Sequence, residues 1–161
     1  MSDDTRPLAV FDLDGTLADS GHRQHFLEGR RRDWERFFSA APHDPPLEEG
    51  VRLVMASATE CEVVYLTGRP ERCRRDTLDW LERRGLPKGR LHMRRDGDRR
   101  PARRTKLEVL ERLGRERAVR LFVDDDELVC DAAEEAGFAV VRARWALTPQ
   151  PMKDAQQRGR T

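Results

Sequence analysis

Five short apolar blocks punctuate the chain: Leu8 to Asp12, Glu62 to Thr67, Leu91 to Met93, Val119 to Val123 and Ala139 to Val141. Runs of this length bounded by turn residues read as buried strands. Helical patterns fill the gaps between them. Residues 30–39 suggest a short helix, and Pro46 to Thr59 places Leu47, Val51, Val54 and Met55 on one face. A helix opening at Pro70, where the first turn tolerates proline, runs to Gly85. Thr105 stands in capping position for a helix to Leu113, and another ends at Glu135 before Gly137. Pro42, Pro45 and Pro46 mark a loop, Arg94 to Arg104 is basic and irregular, and the tail from Thr148 is polar and expected to fray. Strands alternating with amphipathic helices predict an α/β fold with a central parallel, doubly wound sheet between helical layers. One domain is expected over residues 1–147, followed by a polar C-terminal tail over 148–161. Ligands of such sheets sit beyond the carboxyl ends of the strands. Asp12, Thr67 and Asp124 all fall there.

Composition changes this picture little. The hydrophobic share is low, 37% of 161 residues, but it is concentrated in the blocks above. A formal net charge of +1 implies no global attraction to nucleic acid; its distribution says more. Thr67 to Arg104 carries thirteen Arg and one Lys against six acidic residues, whereas Thr105 to Phe138 has five basic against ten acidic. Such asymmetry fits an anionic partner on one face and a metal on another, or a solvated arginine-rich surface. Cys61, Cys73 and Cys130 lack metal-ligand spacing and read as reduced thiols, with Cys73 and Cys130 in helical patterns. No leader-like segment and no apolar run near membrane length occurs, so a cytoplasmic location is expected.

The chemistry gathers at the strand ends. Asp12 and Asp14 are two apart on an extended segment, so both carboxylates point the same way. One can attack phosphorus while the other reaches the leaving oxygen. Gly15 allows a sharp turn after them, and Thr16 can bond that turn. Thr67 offers a hydroxyl and Gly68 an unencumbered N–H at an expected helix start, where anions are favoured; alone, Thr67 reads as a helix cap before a phosphate ligand. Lys106 is one of only three lysines beside twenty-eight arginines. Its point charge can bridge an aspartate and a phosphoryl oxygen. Asp124 and Asp125, facing Asp12, make a hard-oxygen site suited to Mg²⁺. Asp126 reads as the cap of the next helix.

In order and spacing, FDLDGT, YLTGR, the lone lysine and LFVDDD resemble the haloacid dehalogenase (HAD) superfamily over roughly residues 8 to 141. The resemblance implies a HAD-like Rossmannoid three-layer fold with a minimal cap or none. It implies Asp12 as nucleophile, Asp14 as general acid/base, and Thr67 and Lys106 as phosphoryl holders. Magnesium would then sit on Asp12, the backbone carbonyl of Asp14, and Asp125 or Asp124. TGRPERCRRDTLDWL, LHMRRDGDRR, FVDDDELV and HRQHFLEGRRRDWERFF are similar to the phosphatase domain of polynucleotide kinase-phosphatases. Ala102 stands where relatives tend to carry an acidic residue, and Asp126 where they carry an arginine. No G-x-x-x-x-G-K-[ST] occurs in this sequence, so the kinase signature is absent from it.

The gaps from Asp19 to Glu49 and from Arg69 to Lys106 are too short for a full cap domain, which predicts an open site. Arg69, Arg94, Arg95, Arg99 and Arg100 could track a nucleic-acid backbone. Arg23, in the loop after the nucleophile, is a further candidate for phosphate contact. Ten aromatic residues leave little for base stacking. The expected activity is a Mg²⁺-dependent polynucleotide 3′-phosphatase acting on a 3′-phosphorylated DNA or RNA end. A phosphatase of free nucleotides or other small phosphoesters is the alternative, and an inactive module that binds nucleic-acid ends the remote one.

Overall fold

The structure, a computed structural model, describes residues 4–146 and 150–161. Five strands form one parallel sheet: β1 (Leu8–Phe11), β2 (Glu62–Pro70), β3 (Arg90–Arg94), β4 (Val119–Asp124) and β5 (Val140–Arg142). Their order is β3-β2-β1-β4-β5, so the chain winds outward from β1 in one direction and then crosses back to wind in the other. That reversal places the topological switch point at the carboxyl end of β1. Phe11 pairs with Tyr65 on one side and with Val123 on the other.

Alternation along the strands feeds two cores. Ala9, Phe11, Val63 and Tyr65 face α2 (Glu48–Ser57) and α3 (Arg74–Arg83), packing with Val54, Trp80 and Leu81. Leu8, Val10, Val64 and Leu66 face α4 (Ala102–Glu116) and α5 (Glu127–Glu135), packing with Leu110, Leu113, Val129 and Ala133. β1 is wholly buried because both of its faces are covered, which is why it reads as a continuous apolar run.

Between β1 and α2 lie a 3-10 helix over Gly21–Leu27, α1 (Trp34–Ser39), and a 3-10 turn over Ala41–His43. Leu27, Phe37 and Phe38 build a third, small apolar cluster there. The sequence pattern predicts a helix from residue 30, but Asp33 caps it later, accepting the Arg36 N–H. The 3-10 helix over 21–27 has no period-3.6 apolar face and is not legible in the sequence.

Three expectations are corrected. β2 continues through Gly68 and Arg69 to Pro70, so neither Thr67 nor Gly68 opens a helix. α4 starts at Ala102 with Pro101 before it, and Thr105 lies inside it, donating its hydroxyl to the Ala102 carbonyl rather than capping. Over residues 150–161 the tail is not frayed: α6 (Gln150–Gln157) is a helix, and Met152 and Ala155 are fully buried. Met152 plugs the cluster of Leu27, Phe37 and Phe38, an anchor that outweighs the polar character of the surrounding residues. The domain boundary expected between 147 and 148 lies outside the described residues.

Candidate active site

β1 delivers Asp12 and Asp14 to the switch point. The Asp12 N–H donates to the Val123 carbonyl, and the Thr16 hydroxyl donates to Asp12 Oδ2 at 3.0 Å. Gly15, at φ +82°, makes the turn, and its missing side chain matters as much as its backbone freedom. A Cβ there would lie 2.2 Å from Asp125 Oδ2, so only glycine lets the Asp125 carboxylate close on this turn.

Lys106 arrives from the second turn of α4 and is buried. Its Nζ donates to Asp12 Oδ1 at 2.8 Å and to Asp124 Oδ2 at 2.7 Å. Asp124 Oδ1 accepts the Asp126 N–H, and Asp126 caps α5 by accepting from Leu128 and Val129, the role expected of it. Burial disfavours charge on Lys106, but Asp12 and Asp124 outweigh it and hold the ammonium well above its usual pKa. Asp124 is pushed up to about 7, first by burial and then by the Asp12 charge, which Lys106 offsets only in part. One ammonium therefore serves two buried carboxylates.

A divalent cation would resolve that imbalance. Asp12, Asp124 and Asp125 each offer an oxygen within 4.8 Å of the others. Three hard oxygens with surplus negative charge suit Mg²⁺ better than soft metals.

Asp14 lies on the other side, facing two arginines. Arg69 donates to it from Nε at 3.1 Å and Nη2 at 2.7 Å, and Arg23 Nη2 at 2.8 Å. Burial favours the neutral acid, but Arg69 and then Arg23 outweigh it and hold the carboxyl below the usual carboxylate range. Both guanidiniums also reach Asp44, which has no exposed surface: Arg23 at 2.8 and 2.9 Å, Arg69 at 3.2 Å. His22 Nε2 shares Asp44 Oδ1 at 2.6 Å, and the Arg23 guanidinium stacks 4.3 Å from the Phe37 ring centroid.

The expected residues thus converge: Asp12, Asp14, Lys106, Asp124 and Asp125 share one site, with Thr67 buried at the adjoining strand end and its Oγ1 accepting the Arg69 N–H. Arg23 and Arg69 point inward and are not on the surface, whereas Arg95 and Arg99 are exposed. Asp44 and His22 were not foreseen. For Asp44 the signal is an acidic residue within a proline-rich loop, APHDPP; His22 opens the HRQHFLEGRRRDWERFF stretch. Asp12, Asp14, Thr67 and Lys106 are each at most 5% exposed. A cavity of about 330 Å³ beside Asp125 lies between the β5–α5 edge and α6, reaching Lys153 and Gln156.

A carboxylate at the switch point of such a sheet, flanked by a lysine and two further aspartates, can perform phosphoryl transfer through a covalent aspartyl-phosphate. This is the residue arrangement of a HAD-type phosphatase domain. Residues 7–144 match the family described as the polynucleotide kinase PNKP phosphatase domain, and the chain belongs to that family. Among solved structures, it is similar to a chain of a Pnkp1/Rnl/Hen1 RNA repair complex, with 26% identity and a TM-score of 0.70 over 88% of this chain and 44% of that one. A second Pnkp1/Rnl/Hen1 complex matches at 27% identity and 0.67, covering 87% and 47%. The chain therefore spans under half the length of these two relatives. The fold is also shared with the haloacid dehalogenase-like hydrolase SP0104 from Streptococcus pneumoniae, at 14% identity and a TM-score of 0.64 over 95% and 91%. No curated protein matches the sequence.

Proposed function

We propose that the protein is a Mg²⁺-dependent polynucleotide 3′-phosphatase with Asp12 as nucleophile. The observation that carries the chemistry is the Lys106 ammonium held between Asp12 and Asp124, with Asp125 alongside. Asp12 attacks phosphorus in line, the bond from phosphorus to the 3′-oxygen breaks, and the departing oxygen takes a proton from Asp14. Water then attacks the aspartyl-phosphate, passes a proton to Asp14, and releases inorganic phosphate and the Asp12 carboxylate.

At rest the two arginines keep Asp14 ionised, which suits the water step. Donation to the leaving oxygen requires Asp14 first to take up a proton from solvent; the attacking water of the second step then returns one. Lys106 and Thr67 balance and orient the phosphoryl oxygens, joined by the Gly68 N–H. Asp12, Asp124 and Asp125, with the Asp14 carbonyl, would hold Mg²⁺, which supplies charge neutralisation for the phosphoryl group.

The polynucleotide substrate is supported by the family membership, by the similarity to chains of RNA repair complexes, and by the basic loop from Arg94 to Arg100 beside Gly68. A second reading has its own observation: Asp12, Asp14, Thr67 and Lys106 are each at most 5% exposed, which suits a compact phosphoester. The deciding experiment measures phosphate release from a 3′-phosphorylated oligonucleotide and from nucleoside 3′-monophosphates with Mg²⁺. Preference for the oligonucleotide is expected. Equal or better turnover of the mononucleotides rejects the polynucleotide reading and leaves the small-substrate one.

A further inference from the structure

Arg94 closes β3, is 5% exposed, and among the described residues has no carboxylate within ion-pair reach. Its guanidinium is spent on neutral carbonyls: Nε donates to Gly68 O at 3.1 Å, Nη1 to Asp98 O at 2.7 Å, and Nη2 to Arg160 O at 2.5 Å. A buried cation without a counter-charge is unusual, because desolvation is normally offset by an anion. Burial, then the neighbouring Arg99 and Arg72, depress its pKa to about 10, and the Asp98 charge offsets them only in part.

The carbonyl on Nη2 comes from a segment docked across the site's rim. Gln157 accepts from Arg103 Nη1 at 2.5 Å and donates to Asp126 Oδ2 at 3.3 Å. Gly159, at φ +68°, lies so close to the basic loop that a Cβ would fall 2.3 Å from the Arg99 carbonyl oxygen. The Arg160 guanidinium stacks 5.5 Å from the Trp34 ring centroid, and the Thr161 main chain packs on Gly68, where a Cβ would lie 2.0 Å from Thr161 C. Three of these partners are near neighbours in the chain of phosphoryl-site residues: Gly68 follows Thr67, Asp126 follows Asp125, and Arg103 lies one turn before Lys106 on α4.

We propose that Arg94 is the seat for the phosphodiester next to the reacting 3′-phosphate, and that residues 158–161 keep this seat closed until a polynucleotide displaces them. The proposal rests on the function given above. A phosphodiester oxygen is a charged acceptor and outcompetes the neutral Arg160 carbonyl for the same N–H fork. Its fork geometry fits guanidinium better than ammonium. The strap is held by Met152 and a handful of polar contacts, so the exchange does not disturb the sheet.

The test uses the full-length chain. The wild type is expected to hydrolyse a 3′-phosphorylated dinucleotide, which adds one phosphodiester, at least tenfold better in kcat/KM than the nucleoside 3′-monophosphate. R94Q should bring that ratio to within twofold of one. Because the ratio is internal, any general disturbance of Gly68 cancels. A wild-type preference that survives R94Q overturns the Arg94 seat and leaves the polynucleotide function standing. No wild-type preference for dinucleotide or longer oligonucleotide overturns both. Hydrogen exchange on the wild type judges the strap without any mutant: an excess of a 3′-hydroxyl oligonucleotide should speed exchange at the amides of residues 155–160. Unchanged or slower exchange there, at saturating oligonucleotide, overturns displacement.

Discussion

Asp44 holds Arg69 at 3.2 Å and Arg23 at 2.8 Å, so one buried carboxylate from the proline-rich loop sets the position of both guanidiniums that face Asp14. Two carboxylates and two guanidiniums form a nearly neutral square with His22 at its corner. Its far wall is the Phe37 ring, its near wall Asp14. Removing Asp44 leaves Asp14 alone against two arginines that are free to collapse onto it.

Asp44→Ala should therefore destabilise the protein and impair it. Deleting one partner of a buried charge pair typically costs about 3–5 kcal/mol. For a chain of this size, 1 kcal/mol corresponds to a Tm change of about 2–4 °C, so a drop near 10 °C is expected by calorimetry. Asp44→Asn, which keeps the shape and accepts at least one guanidinium bond, should lose less stability. A wild-type Tm for D44A would show that the network is not coupled as drawn.

Asp12→Asn should abolish turnover without unfolding the chain. Asparagine can accept from Thr16 but cannot form the acyl phosphate, and Lys106 would keep Asp124 as its counter-charge. The expected loss exceeds about a thousandfold, roughly 4 kcal/mol in barrier. Phosphate release by the folded variant above a few per cent of wild type rejects the covalent route through Asp12.

Much of this was legible because the chemistry sits where chain pattern and topology coincide. Buried parallel strands read as continuous apolar runs, and three of the five lead into the residues that matter: Asp12, Thr67 and Asp124. Lys106 stood out only through the scarcity of lysine. Asp44 left no comparable trace, since a single acidic residue in a loop is ordinary until a fold brings two arginines to it. α6 was missed for a related reason. Its only buried apolar residues are Met152 and Ala155, too few to form a stripe, and its docking is specified by Gln157, Gly159 and Arg160 through partners far away in sequence. The Arg69 and Arg94 side chains look like surface charge in a basic run, yet burial turns both inward.

Metal binding should be visible in stability as well as in rate. Asp12 and Asp124 share one ammonium, and Asp125 offers an oxygen within 4.8 Å of theirs, so a bound divalent cation relieves the repulsion among the three. A ligand at one hundred times its Kd stabilises the native state by about 2.7 kcal/mol. Saturating Mg²⁺ should thus raise the Tm of chelated protein by several degrees, and EDTA should abolish turnover. Asp125→Asn should remove most of the Mg²⁺-dependent Tm rise. An unshifted Tm with full activity after chelation would take these three residues out of a metal site.

The basic loop provides the remaining prediction, and the structure narrows which arginines it concerns. Arg94 is buried, and Arg100 is tied to Asp98 and Glu108, at 2.8 and 2.7 Å. Arg95 and Arg99 are exposed and engage no carboxylate among the described residues, so they are the ones free to meet a polyanion. Contacts of this kind act through counterion release and carry no sequence preference. On a single strand each lost contact flattens the log–log salt dependence of binding by about 0.7. Arg95→Gln with Arg99→Gln should therefore reduce that slope by about 1.4 for a 3′-phosphorylated oligonucleotide and raise its KM at low salt, with kcat little changed. Oligonucleotides of different base sequence should respond alike. Hydrolysis of an aryl phosphate, measured in parallel, reports on the catalytic centre alone, so a matching change there would mean that the substitutions had disturbed the site itself. An unaltered slope for the oligonucleotide would assign Arg95 and Arg99 to solvated surface and place the polyanion elsewhere on the rim.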